Sequence, residues 1–263
     1  MADRTGRAPA PGPPDPGPQA PPLLAVAHGT RDPAGPAAIR DLLALVRALR
    51  PGLRVAESYG ELSAPSLEDA AARLGAGPRH GAPVVVVPLL LARGYHALID
   101  VPERAGRLLP GSVTARPLGP DALLAGALAD LLAEPPARML PLRPADTVVL
   151  GAAGSADPVG IADVRAAARL LARRLRRRVP HGFVAAGGPP LDEVVAGLRR
   201  AGAPRVAVAS YLLAPGRFHD RIAACGADAV TPPIGAHPAA ARLVLRRYDE
   251  ARARLTAAAS ATP

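Results

Sequence analysis

Short apolar runs alternate with amphipathic stretches along most of this chain. Residues 23–27 are apolar throughout, and the densest run is Val84-Val-Val-Val-Pro-Leu-Leu-Leu91. An apolar run without in-out alternation is how a central strand of a parallel sheet reads, because helices cover both of its faces. The run stops at Arg93-Gly94, so Tyr95-His96 is expected where the strand ends. Elsewhere the pattern predicts a first strand over 23–27 and a turn-rich loop over 28–33. A helix over 36–49 follows, with Ile39, Leu42, Leu43, Val46 and Leu49 on one face. Pro51-Gly52 stops that helix, and a second strand runs over 54–59. Ser66 caps a helix over 67–74, with Glu68 and Asp69 suited to its first turn. After the valine strand come a helix near 102–109, a strand at 112–117 and a helix over 121–133. Strands and helices alternating at this spacing indicate parallel βαβ units.

Residues 134–146 hold four prolines and no apolar periodicity, and then the pattern begins again. Val148-Val-Leu-Gly-Ala-Ala153-Gly-Ser-Ala-Asp-Pro158 parallels Leu24-Ala-Val-Ala-His28-Gly-Thr-Arg-Asp-Pro33. Pro189-Pro-Leu-Asp-Glu parallels Pro65-Ser-Leu-Glu-Asp, and Val206 through His219 parallels Val84 through His96 with one residue inserted. Pro233-Ile-Gly235 parallels Pro117-Leu-Gly119. The expected organisation is therefore a proline-rich disordered tail (1–22), an α/β domain (23–134), a linker (135–146), a second copy of the domain (147–256) and a short tail (257–263). Residues 1–22 carry no hydrophobic core segment of a signal peptide.

Composition changes this picture little. All 32 basic residues are arginines, beside 33 prolines and 26 glycines, a bias that resembles codon drift more than function. The net charge of +10 suits an anionic partner and would steer one in. With 2% aromatic residues and no recognition motif, nucleic acid is not the expected partner. One cysteine, Cys225, excludes an intramolecular disulfide and a cysteine-only metal site, in keeping with a cytoplasmic protein. No apolar run is long enough to cross a membrane.

Duplication offers an internal control on chemistry. His28 is matched by Ala153, Arg31 by Ala156 and Glu61 by about Ala185, whereas His96 keeps a counterpart in His219. The first copy thus carries His28, Glu61 and His96 at spacings of 33 and 35 residues, one after each of its first three strands. Three strand ends of one parallel sheet converge on one cleft, where ligands of such sheets bind. Two imidazoles and a carboxylate suit a first-row divalent metal, and equally suit proton transfer near neutral pH. His80, His181 and His237 read as surface residues, and His219 is left open between cleft and surface. The cluster Arg173, Arg174, Arg176, Arg177 and Arg178 reads as a solvated helix end. No dinucleotide loop, Walker A sequence or GxSxG elbow occurs.

Ala27-His28-Gly29-Thr30-Arg31-Asp32-Pro33 resembles the "HGSRDP" opening of the sirohydrochlorin chelatases, the class II chelatase family of siroheme and cobalamin synthesis. Tyr59-Gly-Glu61-Leu-Ser-Ala-Pro65-Ser66 is similar to that family's "FLELAEPS" segment. Val84 to Pro102 is similar to its "VVVPLFLxxGxHxxxDIP" segment, with His96, Asp100 and Pro102 in register. Thr30, Tyr59 and Gly60 depart from the pattern. The resemblance implies two tandem flavodoxin-like domains, each a parallel sheet flanked by helices, facing one another across a cleft. It implies ATP-independent insertion of a divalent metal, Fe²⁺ before Co²⁺, into sirohydrochlorin. Metal and macrocycle are then substrates, and no tightly bound cofactor is expected. His28, His96 and Glu61 are the implied metal-binding and catalytic residues. Arg31 and Arg93 are expected to clamp carboxylates of the substrate, while Gly29, Gly94 and Tyr95 lie against the macrocycle. The competing expectations are a cobaltochelatase and a tetrapyrrole or metal carrier without catalysis. A duplicated chain already holds the domain pair that a shorter relative would assemble by dimerising, which leads to the expectation of a monomer.

Overall fold

The apolar runs become two four-stranded parallel sheets in the computed structural model, which describes residues 20–75, 83–94, 99–133 and 142–260. The first half comprises β1 (Leu23–Ala27), α1 (Ala34–Leu49), β2 (Val55–Tyr59), α2 (Leu67–Gly75), β3 (Val85–Pro88), α3 (Val101–Leu108), β4 (Val113–Thr114) and α4 (Ala122–Ala133). The second half repeats it as β5 (Thr147–Ala152), α5 (Pro158–Leu175), β6 (His181–Phe183), α6 (Leu191–Arg200), β7 (Val206–Tyr211), α7 (Arg217–Ala223), β8 (Ala229–Val230) and α8 (Pro238–Ser260). Strand orders are β2-β1-β3-β4 and β6-β5-β7-β8, every pairing parallel. This is the 2-1-3-4 order of flavodoxin-like sheets.

Two-sided burial accounts for the valine strand. Val85 and Val87 point into one core cluster with Leu23, Ala25 and Ala27, whereas Val84 and Val86 point into another with Leu24 and Val26. The second cluster is closed by Leu67 and Ala71 of α2 and by Val101 and Ala105 of α3. Ser66 caps α2 as expected, accepting from the Asp69 amide at 3.0 Å while the Asp69 carboxylate accepts from the Ser66 amide at 3.1 Å. The strand itself ends earlier than the apolar run. Pro88 lacks an amide donor, and Leu89–Leu91 continue as a loop in which Leu89 N donates to Val26 O.

The halves are not separately closed. The larger cluster takes in strands and helices of both, and the last helix of each half is exchanged. α8 packs on α1, β3 and β4 of the first half, and α4 packs on α5 and β7 of the second. Arg247 of α8, wholly buried, donates to the carbonyls of Pro117 and Leu118, both at 2.9 Å, and to the Asp121 carboxylate. Arg50–Asp249 and Arg116–Glu250 pairs and a Tyr248 hydroxyl donating to Pro21 O hold the same helix to the first half. α8 runs past residue 256, the expected end of the second unit, to Ser260.

Glycines mark where the halves touch. A Cβ on Gly35 would lie 3.1 Å from Pro215 O, and one on Gly160 would lie 2.6 Å from Arg93 O. Gly35 and Gly160 are equivalent positions of the repeat, as are Arg93 and Pro215. The contact is thus made twice, each time by the loop after the third strand of one half against the first turn of the first helix of the other.

Candidate functional site

In each sheet the chain leaves the first strand toward one neighbour and returns on its other side. The crevice beyond the carboxyl ends, where the order reverses, is the usual ligand position in such sheets. In the first half this crevice is a pocket lined by Ala27, His28, Gly60, Leu90, Asp100 and Val101, together with Val26. His28 follows β1 directly, and its imidazole is exposed.

The loop after β2 is fastened to the loop after β1. Gly60 N donates to Ala27 O at 2.8 Å and Glu61 N to His28 O at 3.0 Å. Ser63 Oγ accepts from Thr30 N at 3.0 Å and donates to Thr30 O at 2.8 Å. The positive φ of 97° at Gly29 permits this approach, since a Cβ there would lie 1.8 Å from Glu61 O. Gly29, expected against a macrocycle, thus has a structural role and lets the two loops dock. His28 and Glu61, 33 residues apart, are brought side by side by backbone bonds.

Asp100 and Arg104 were not among the residues expected from sequence to form the site. Asp100 lines the pocket at the start of α3. Arg104, one turn on, reaches Asp100 at 3.5 Å, donates to Gly60 O at 3.2 Å and makes a two-pronged pair with Glu68. It ties the Glu61 loop, α2 and α3 together behind the pocket. The visible signal was the carboxylate four residues before an arginine in Asp100-Val-Pro-Glu-Arg104, a spacing that pairs on a helix. His96 and Tyr95 lie outside the described residues, as does His80. Among the described residues, no three His, Cys, Asp or Glu side chains gather closely enough to hold a metal ion.

The CbiX family model matches residues 22–135 and, a second time, residues 147–251. The chain belongs to the CbiX family. Among solved structures, SirB from Bacillus subtilis with Fe3+ superposes with a TM-score of 0.73 at 27% identity, covering 90% of this chain and 98% of that one. The sirohydrochlorin chelatase SirB from Bacillus subtilis subspecies spizizenii in complex with cobalt gives 0.68 at 24% identity over 89% and 96% of the two chains. DR2241 from Deinococcus radiodurans, a multi-domain protein with structural similarity to chelatases, gives 0.60 at 25% identity over 87% of this chain and 54% of that one. Among curated proteins none matches this sequence.

Within this CbiX chain the arginines diverge. Arg31 is exposed, three residues after His28 in the chain. Arg93, expected as a second clamp, grips Asp163 of α5 instead. Its Nη2 lies 2.7 Å from Oδ1 and its amide donates to Oδ2 at 2.7 Å, and the hydrogen bond to Asp163 raises the guanidinium pKa further. Gly94 sits against the second half, its Cβ position 3.8 Å from Ser155 Oγ. His219 belongs to the packing of the second half, with Nε2 3.2 Å from Thr231 O.

Two histidines read as surface residues are partly enclosed. His237 Nδ1 accepts from Ala239 N at 3.1 Å at the start of α8, and its Nε2 lies 3.6 Å from Asp130. His181 stands at the edge-strand position β6 with Nε2 buried and edge-on to Phe183. The arginine-rich end of α5 is exposed as expected, except that Arg177 donates to Asp146 O at 2.8 Å and anchors the turn over 142–146.

Proposed function

We propose that this CbiX chain is a sirohydrochlorin chelatase, inserting a divalent metal into the macrocycle without ATP. The observation that carries this reading is the likeness to SirB with Fe3+ over nine-tenths of the chain, joined to the placement of His28 beside Glu61 at the switch point. Insertion must strip water from a hydrated cation and remove two protons from pyrrole nitrogens. An exposed imidazole serves both steps, binding the ion and accepting a proton near neutral pH. In this reading His28 and His96 receive the ion and take the protons, and the Glu61 carboxylate offsets the charge and relays protons outward. Arg31 pairs with a carboxylate on the rim of the substrate. The backbone bonds between the two loops fix the separation of His28 and Glu61 before substrate arrives, which keeps reorganisation out of the reaction. Iron is the favoured ion and siroheme synthesis the favoured context, with the protein acting in the cytoplasm as a monomer.

Cobalt is the alternative ion, because imidazole and carboxylate ligands bind both and the preference depends on geometry and supply. The test is anaerobic: sirohydrochlorin with Fe²⁺ or Co²⁺, absorbance followed with wild type and with His28→Ala combined with His96→Ala. Acceleration that the double variant loses supports chelation, and the faster ion indicates the pathway. Tight sirohydrochlorin binding with no acceleration by either ion leaves a carrier.

A further inference from the structure

Six large apolar residues stand exposed among the described residues, and their distribution is one-sided. Leu49 and Leu108 end α1 and α3, at the amino-terminal edge of the sheets. The other four, Leu62, Ile99, Val159 and Phe218, follow strand carboxyl ends or open the next helix, on the side of the pocket. Leu62 is the most exposed of all at 53%, and it adjoins Glu61.

Leu62 also holds a backbone conformation that leucine avoids, with φ at +59°. A side chain in the left-handed region costs energy and is kept only where surroundings dictate it. The dictating bonds are Glu61 N to His28 O, Ser63 N to Glu61 O at 2.7 Å, and the two between Ser63 Oγ and Thr30. The second half shows that such a loop can be built without this cost. There Ala185 N donates to Ala153 O at 2.8 Å, matching Glu61 and His28, so Leu62 corresponds to Ala186 and Ser63 to Gly187. The left-handed residue of that loop is Gly187, with φ at +110°. The half that carries His28 and Glu61 therefore places an exposed leucine, in a strained conformation, where its copy uses a small residue and a glycine. Packing does not explain it, because the side chain is mostly in solvent.

We infer that Leu62 is a substrate-contact residue, whose side chain forms an apolar seat for the flat face of the tetrapyrrole beside His28 and Glu61. The inference rests on the chelatase reading and adds the part that recognises the ring's apolar face, leaving the carboxylate rim to arginine. The full chain is tested as wild type, Leu62→Gly and Leu62→Met, each titrated anaerobically with metal-free sirohydrochlorin and each melted thermally. Leu62→Gly relieves the backbone while removing the side chain, so it is expected to melt at the same or a higher temperature. Its sirohydrochlorin Kd is expected to rise roughly tenfold or more, as loss of one buried leucine contact implies. Leu62→Met is expected to bind within about threefold of wild type. Unchanged affinity in Leu62→Gly overturns the inference, as does a lowered melting temperature, which would make the leucine structural. A wild type that binds no sirohydrochlorin defeats the chelatase reading itself, before any variant is compared.

Discussion

The Glu61 amide donates a 3.0 Å hydrogen bond to the carbonyl of His28, and the Ala185 amide makes the same bond to Ala153 at 2.8 Å. One backbone joint is present in both halves, with a histidine and a glutamate at its ends in the first and two alanines in the second. The joint is a property of the fold, independent of the side chains at its ends. The second half lends α8 to the first half and its loops to the interface, and it carries alanines at both ends of the joint.

Gly29 and Gly154 are equivalent in this joint, and alanine at either is strained. A Cβ would lie 1.8 Å from Glu61 O at the first and 2.3 Å from Ala186 O at the second, both at positive φ. Each substitution is expected to cost about 2–4 kcal/mol of stability. Urea unfolding measures this cost. Metal insertion by the folded fraction is expected to fall for Gly29→Ala and to hold for Gly154→Ala; equal losses would contradict the division of labour between halves.

Asp163 is almost wholly buried, and Arg93 supplies the charge that compensates it. Arg93→Ala is expected to cost roughly 1–2 kcal/mol, less than for a fully buried pair because the arginine is half-exposed. Arg93→Lys is expected to recover little, since the two-pronged geometry is lost. A lowered urea midpoint at unchanged slope would support this, whereas stability equal to wild type would show the pair to be idle.

Arg247 has no solvent contact and satisfies two carbonyls and the Asp121 carboxylate of the first half. Arg247→Met keeps the bulk and strands those acceptors, so a loss of about 3–5 kcal/mol is expected. Thermal unfolding should show both halves failing together, because α8 and α4 are exchanged between them.

Burial, with the nearby Arg165 and Arg169 adding to it, holds His181 below its ordinary value of 6.5, and burial lowers His237 against the pull of Asp130. A depressed imidazole means the unfolded chain binds protons that the folded chain refuses, so stability rises with pH in that window. It is complete above the unfolded value of 6.5 and is lost as pH falls through it toward the lower folded values. Urea midpoints measured from about pH 7.5 to about pH 5.5 should fall, and His181→Gln should flatten the decline. An identical slope in the variant would remove His181 from the account.

Much of this architecture could be read from residue patterns. The strand over 23–27, the two-faced valine strand, the Ser66 cap and the internal repeat follow from period, turn chemistry and self-similarity. His28 and Glu61 stood out as candidates because the copy carries alanines at the matching positions. The exchange of α4 and α8 was not, since an apolar stripe predicts a buried face but not which sheet receives it. Arg93 looked like a free clamp because its partner, Asp163, lies 70 residues away in a helix whose pattern gives no sign of a buried charge. His181 looked exposed for the same reason: a short edge strand with an aromatic neighbour hides a ring that sequence treats as polar.

The most direct measurement is the anaerobic rate of metal insertion into sirohydrochlorin by wild type and Glu61→Gln, with the Kd for metal-free sirohydrochlorin determined alongside. The substitution keeps the shape of the side chain and leaves the bond between residues 61 and 28 in the backbone. The account predicts near-wild-type binding with a rate lower by roughly tenfold to a hundredfold for either ion, as loss of a positioned proton acceptor implies. An unchanged rate with unchanged binding would contradict it, and would mean that the joined loops hold the substrate without taking part in its metallation.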